Sequence, residues 1–163
     1  MTAYDPSQWS DLFVATAGAS AALAGLVFVA VSINIERILK FEGLPERALE
    51  TVLLLLGVLL ASVVGLIPGQ SDTALGLELV GVSLVLALVI SSFPTRQDGA
   101  DEERAWLWGR WGVRLVGTVP LVIGGASILI GSGGGLYWIA AGIMLAITGA
   151  VANAWVLLVE ILR

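Results

Sequence analysis

From Leu12 to Ile35 the chain carries no ionisable side chain, and most of the side chains in that run are apolar. A membrane-spanning helix needs about 20 such residues. The run is too long for the core of a signal peptide, and no basic segment precedes it, so a permanent span is expected. Four more stretches repeat the pattern. TVLLLLGVLLASVVGLI follows Pro45, which suits a first helical turn, with Glu46, Arg47 and Glu50 in the early turns. The next run follows PGQSD, with Asp72 as the expected cap, and stops before Pro94. The polar stretch TRQDGADEER reads as a loop. It leads to a fourth run that Pro120 is expected to kink. GSGGG then makes a tight turn into the fifth. The spans fall at about 12–36, 45–67, 74–93, 113–130 and 136–160. The expected fold is one domain over 1–163, an all-α integral membrane protein of five transmembrane helices.

Composition agrees with lipid as the solvent. The chain is 58% hydrophobic and 13% charged, against about 25% charged in soluble domains. Its eight cations test the span count. Arg37, Lys40 and Arg47 lie between spans one and two. Arg96, Arg104, Arg110 and Arg114 lie between three and four, and Arg163 follows five. With five spans all eight fall on one side, and the other side has only acids, Asp5, Asp11, Asp72 and Glu78. Cytoplasmic loops are enriched in Lys and Arg, so the N-terminus is expected outside and the C-terminus in the cytoplasm. Trp9, Tyr137 and Trp138 would lie at the outer interface, and Trp106, Trp108, Trp111 and Trp155 at the inner one. Seven Arg to one Lys in an Ala-, Gly-, Leu- and Val-rich chain suggests a bacterial protein, hence a multi-pass plasma-membrane location.

Helices in lipid associate by close packing, which small residues permit. Span one carries Gly18, Ala22, Gly25, Val29, Ser32 and Glu36 at steps of four and three, which at about 100° per residue share one face. These are the candidates for an axis-lining surface. Gly117, Gly124 and Gly131 recur every seven residues in and after span four; Gly142, Ala146, Ala150 and Ala154 recur every four in span five. The short GSGGG connection makes the two spans antiparallel neighbours, so their small faces are expected to meet. Thr16, Ser20 and Asn34 share another face of span one and are expected to hydrogen-bond between helices, as is Asn153.

Glu36 has two readings. It can be an interfacial residue paired with Lys40 at i+4. It can also end the packed small face, where repetition around a symmetric oligomer would form an acidic ring, a cation-filter device. Glu78 reads as a helix-end carboxylate. Asp98, Asp101, Glu102 and Glu103 lack the glycine and ligand spacing of a calcium loop and read as a solvated helix start. The chain has neither Cys nor His, which removes disulfides, thiol chemistry and the usual zinc and haem ligands. It also lacks G-x-S-x-G, a P-loop and H-E-x-x-H. No enzymatic activity, catalytic residue, cofactor, metal or nucleic acid is therefore expected.

The fragment ASAALAGLVFVAV, residues 19–31, resembles the pore-lining first helix of Orai calcium channels, which also place a glycine and a valine before a glutamate. In that family the glutamate comes sooner, where this chain has Ile33, and its subunits have four spans with both ends inside. The resemblance implies a pore-lining role for span one. From the small-residue face ending in Glu36, the function expected is a homo-oligomeric ion channel or pore with the first helix nearest the axis. The alternative is a non-transporting scaffold or regulatory and assembly subunit that packs against a partner membrane protein. The lipid bilayer is the common partner of both.

Overall fold

The computed structural model describes residues 2–41, 43–92 and 103–162, with side chains except at 103–114, 116 and 160–162. Two short 3-10 turns, Thr2–Tyr4 and Pro6–Trp9, precede α1 (Ser10–Ile33), α2 (Ile35–Ile38), α3 (Leu44–Gly65), α4 (Asp72–Ser91), α5 (Glu103–Ile130) and α6 (Leu136–Leu162). The described residues are all helix and turn. Four segments are long and apolar enough to cross a membrane: Pro6–Ile33, Leu44–Gly65, Asp72–Ser91 and Leu136–Val159. Within α5 the apolar stretch is shorter, Gly117–Ile130. Residues 95–102 of the TRQDGADEER stretch lie outside the described residues, as do the side chains of Trp106, Trp108, Arg110, Trp111 and Arg114, while Glu103 and Arg104, expected in the loop, open α5.

Helix ends follow local chemistry and correct two boundaries. α1 stops at Asn34 rather than running on to Glu36. Asn34 adopts φ −106°, ψ 15°, and its Nδ2 donates to Ala30 O at 2.9 Å. A short amide that bonds its own backbone competes with helix continuation. Its carbonyl then accepts from Arg37 and Ile38 N–H and starts the single turn of α2, which carries Glu36. α4 is capped by Ser71, whose Oγ accepts from Ala74 N–H at 3.2 Å. Asp72, expected as the cap, is the first helical residue, where a carboxylate still meets the positive end of the helix dipole. Pro45 sits in the first turn of α3. α5 runs unbroken through Pro120.

α3 is the central helix, packed against α1, α4 and α6; α5 closes the far side by packing on α4 and α6. Phe13 of α1, Val58 and Ala61 of α3, Leu75 and Leu79 of α4, Leu121 and Ile128 of α5, and Leu136, Ile139 and Ile143 of α6 form the main core. At the opposite end Ile38, Leu44, Ala48 and Leu157 form a second cluster.

The α5–α6 turn is a built structure. Gly133 and Gly134 have φ of 96° and 102°, left-handed values that favour glycine. Ser127 Oγ accepts from Gly135 N–H at 2.8 Å and donates to Ser132 O at 2.5 Å. Tyr4 reaches across from the N-terminus, its hydroxyl accepting from Gly134 N–H at 3.0 Å. Trp9 stacks edge-on against Tyr137, with ring centroids 4.8 Å apart. Asp5 fixes the second 3-10 turn by accepting from Ser7 Oγ, Gln8 Nε2 and Ser7 N–H. Those bonds, led by the Ser7 hydroxyl, hold its carboxyl below the usual carboxylate range.

Candidate functional site

The small-residue face of the first helix points away from the rest of the chain. Gly18, Ala22, Gly25, Val29, Ser32 and Glu36 are all exposed. A Cβ placed on Gly18 or Gly25 meets no atom within 4 Å. What α1 turns toward α3 is the other side. Phe13 and Ser20 are its buried residues, and Leu23, Ala24 and Val27 pack against the cluster formed by Leu54 and Leu55 of α3 with Ile90 and Ala150. Thr16 Oγ1 and Ser62 Oγ lie 2.8 Å apart. Thr16 also donates to Leu12 O, so Ser62 as donor to Thr16 satisfies both hydroxyls.

Of the three polar residues of span one expected to bond between helices, only Thr16 does so among the described residues. Ser20, though fully buried, donates to Ala17 O in its own helix, and Asn34 donates to Ala30 O. In hydrocarbon a hydroxyl finds a partner in the turn below as readily as across an interface. Glu36, Arg37 and Lys40 are all exposed at the α2 end.

The small faces of α5 and α6 do meet. A Cβ on Gly124 would stand 3.0 Å from Ile139 N, and one on Gly142 would stand 3.2 Å from Leu121 N. Gly117 faces Ala146 at 3.5 Å. Ala150 is buried instead beside Leu54, Leu55 and Ile90. A second close approach was not foreseen in the pattern of sevens. Gly76 of α4 and Gly125 of α5 face one another, each Cβ position 3.0 Å from the other's carbonyl oxygen. Adjacent Gly124 and Gly125 let α5 approach α6 on one side and α4 on the other.

Glu50 is the polar residue whose place the sequence pattern understates. It is 1% exposed, beside a fully buried Thr51. Glu46 Oε2, one turn earlier, is also buried. The signal was its register: Glu50, Gly57, Ala61 and Gly65 are seven, four and four residues apart and share the α3 face that packs inward. Among the described residues no group of three acidic side chains could hold a metal ion. The acids Asp98, Asp101 and Glu102 lie outside them, as does the side chain of Glu103.

No protein-family model matches the chain, and neither the curated proteins nor the solved structures contain a match.

Proposed function

We propose that the chain is a membrane subunit that assembles with copies of itself through the outward face of α1, and that the assembly conducts cations. The observation that carries the proposal is that, among the described residues, the Gly18–Ala22–Gly25 face is turned away from the other helices. Such a face gives helices in lipid their closest approach. In a ring of copies it faces either the axis or the neighbouring subunit. Glu36 then stands at the end of that surface, where repeated carboxylates raise the local cation concentration.

The proposal includes five spans with the N-terminus outside. The run at 113–130 supports it by length, since 18 residues extend about 27 Å against a hydrocarbon core of about 30 Å, although the apolar helix proper is Gly117–Ile130. It also packs alongside α4 and α6. The one-sided distribution of all eight cations supports the orientation.

Because the chain has no cysteine, one set of single substitutions tests both parts. Ser7→Cys should react with an impermeant thiol reagent added outside intact cells, and Lys40→Cys should react only after the membrane is opened. Ala22→Cys and Gly25→Cys should cross-link between copies, whereas Leu55→Cys, buried against α1, should not. In reconstituted vesicles Glu36→Gln should lower cation flux or weaken its selectivity while leaving the assembly intact. Labelling of Lys40→Cys from outside overturns the topology, and vesicles that never conduct overturn the channel.

The second reading is a regulatory or assembly subunit for another membrane protein. One observation favours it: the outward face carries no ionisable residue between Asp11 and Glu36, a surface a partner helix meets as readily as a pore axis. A monomer that co-purifies with a different membrane protein decides for it.

A further inference from the structure

Residues 2–9 form a small unit with bonds of its own. The Trp9 indole Nε1 donates to the Thr2 carbonyl at 2.7 Å, which closes the two 3-10 turns into a loop. Inside it the Asp5 carboxylate accepts from Ser7 Oγ at 2.6 Å, Ser7 N–H at 3.1 Å and Gln8 Nε2 at 3.0 Å. Gln8 N–H donates to the Asp5 carbonyl at 3.2 Å. The hold of this unit on the rest of the chain is narrow. None of its residues is buried, though Tyr4 and Trp9 rim the main core. The Tyr4 hydroxyl accepts from Gly134 N–H at 3.0 Å. The Ala3 carbonyl and the Tyr4 ring rest over Gly135, where a Cβ would stand 2.8 Å from Tyr4 Cε1. Trp9 meets Tyr137 edge-on. These three contacts fall within residues 134–137.

The elements on either side are held by other means. α1 is seated on α3 by Phe13 against Gly65 and by Thr16 beside Ser62. The glycine turn is held by Ser127, which bonds Gly135 N–H and the Ser132 carbonyl. A segment with its own internal bonds and few contacts across its boundary opens locally, as a cooperative unit, at a lower cost than global unfolding. We propose that residues 2–9 are a strap that lifts off the α5–α6 turn as one unit while the helical bundle stays folded. Closed, the strap couples the start of α1 to the start of α6. Open, it uncovers Gly134 N–H and the Tyr137 ring, and it leaves the start of α1 held by its seat on α3. The strap works in this way whether or not the chain conducts ions.

Hydrogen exchange of the full chain in detergent micelles, resolved to single amides by NMR, tests the strap. Trp9→Ala breaks the contact with Tyr137 and the bond to Thr2, but it removes no atom bonded to Gly134. With the strap moving as one, Gly134 N–H should still exchange at least tenfold faster than in the wild type. Gly135 N–H, bonded to Ser127, and the amides of α3 should keep their wild-type rates. Tyr4→Phe, which removes only the hydroxyl, should speed Gly134 in the same way. Should Trp9→Ala not fold, Trp9→Phe keeps a ring against Tyr137 and loses the bond to Thr2, and the same difference between Gly134 and Gly135 should appear. Wild-type exchange at Gly134 in a folded Trp9 variant means that the contacts act separately, and it overturns the proposal. Acceleration that reaches Gly135 or α3 means that the strap does not open by itself, and it overturns the proposal too.

Discussion

α1 and α3 are of similar length and similarly apolar, yet they occupy opposite positions. α3 is the hub, with eleven buried residues from Leu44 to Gly65. α1 buries only Phe13 and Ser20. Both carry regularly spaced small residues, but they are used differently. Gly57 and Gly65 of α3 accept side chains from neighbours: a Cβ there would stand 2.6 Å from Leu86 Cδ1 and 2.5 Å from the Phe13 ring. Gly18 and Gly25 of α1 face open space. The same device therefore closes the fold in one helix and stays available for assembly in the other. A carboxylate also lies on each side of the loop between them, Glu50 of α3 buried and Glu36 of α2 exposed.

The carboxylates give the sharpest contrast. Glu50→Ala removes a wholly buried side chain and leaves its bonding partner unsatisfied, which should cost about 1–3 kcal/mol, read from denaturation in mild detergent. Glu36→Ala should stay within about 0.5 kcal/mol of wild type. Equal effects would break the distinction between hub and outer helix. Next come the glycines. Gly65→Leu forces a side chain into the Phe13 ring and should cost about 1–3 kcal/mol. Gly25→Leu should leave the stability of the detergent-isolated monomer undiminished while weakening cross-linking through Ala22→Cys. A Gly25→Leu monomer destabilised as much as Gly65→Leu would place α1 inside the fold. The smallest effect belongs to the seam itself. A double-mutant cycle of Thr16→Val and Ser62→Ala should return a coupling of about 0.6 kcal/mol, the average for polar contacts between membrane helices. A coupling of zero would leave shape alone holding α1 to α3.

The long apolar helices were legible because backbone satisfaction in lipid demands them. The GSGGG turn was legible because its glycines take backbone angles that other residues avoid. What the chain conceals is which helix is central. In a soluble protein the inward face is the apolar one. In lipid both faces are apolar, so Leu26 at 67% exposure and Leu55 at 1% look alike in sequence. Spacing of small residues marks a contact but not its partner. Gly124 and Gly142 found theirs within the chain; Gly18 and Gly25 did not. Glu50 was hidden by proximity to Pro45 and Glu46, which marked only the early turns of a helix, although its register with Gly57, Ala61 and Gly65 pointed inward. The end of α1 was misjudged because Ile35 continues the apolar run. The break depends on where the Asn34 amide bonds, which hydropathy does not register.

The hydrogen bond from Gly134 to Tyr4 joins residues 130 apart in sequence. At roughly 5–20 residues per second of synthesis, Gly134 follows Tyr4 after an interval on the order of ten seconds. α3 is complete well before then, so α1 can settle on Ser62 and Gly65 while its N-terminal turn has no anchor. Tyr4 and Trp9 are therefore made well before the partners that fasten them. A pause in translation between α3 and α6 would prolong an intermediate in which Tyr4 lacks Gly134 and Trp9 lacks Tyr137.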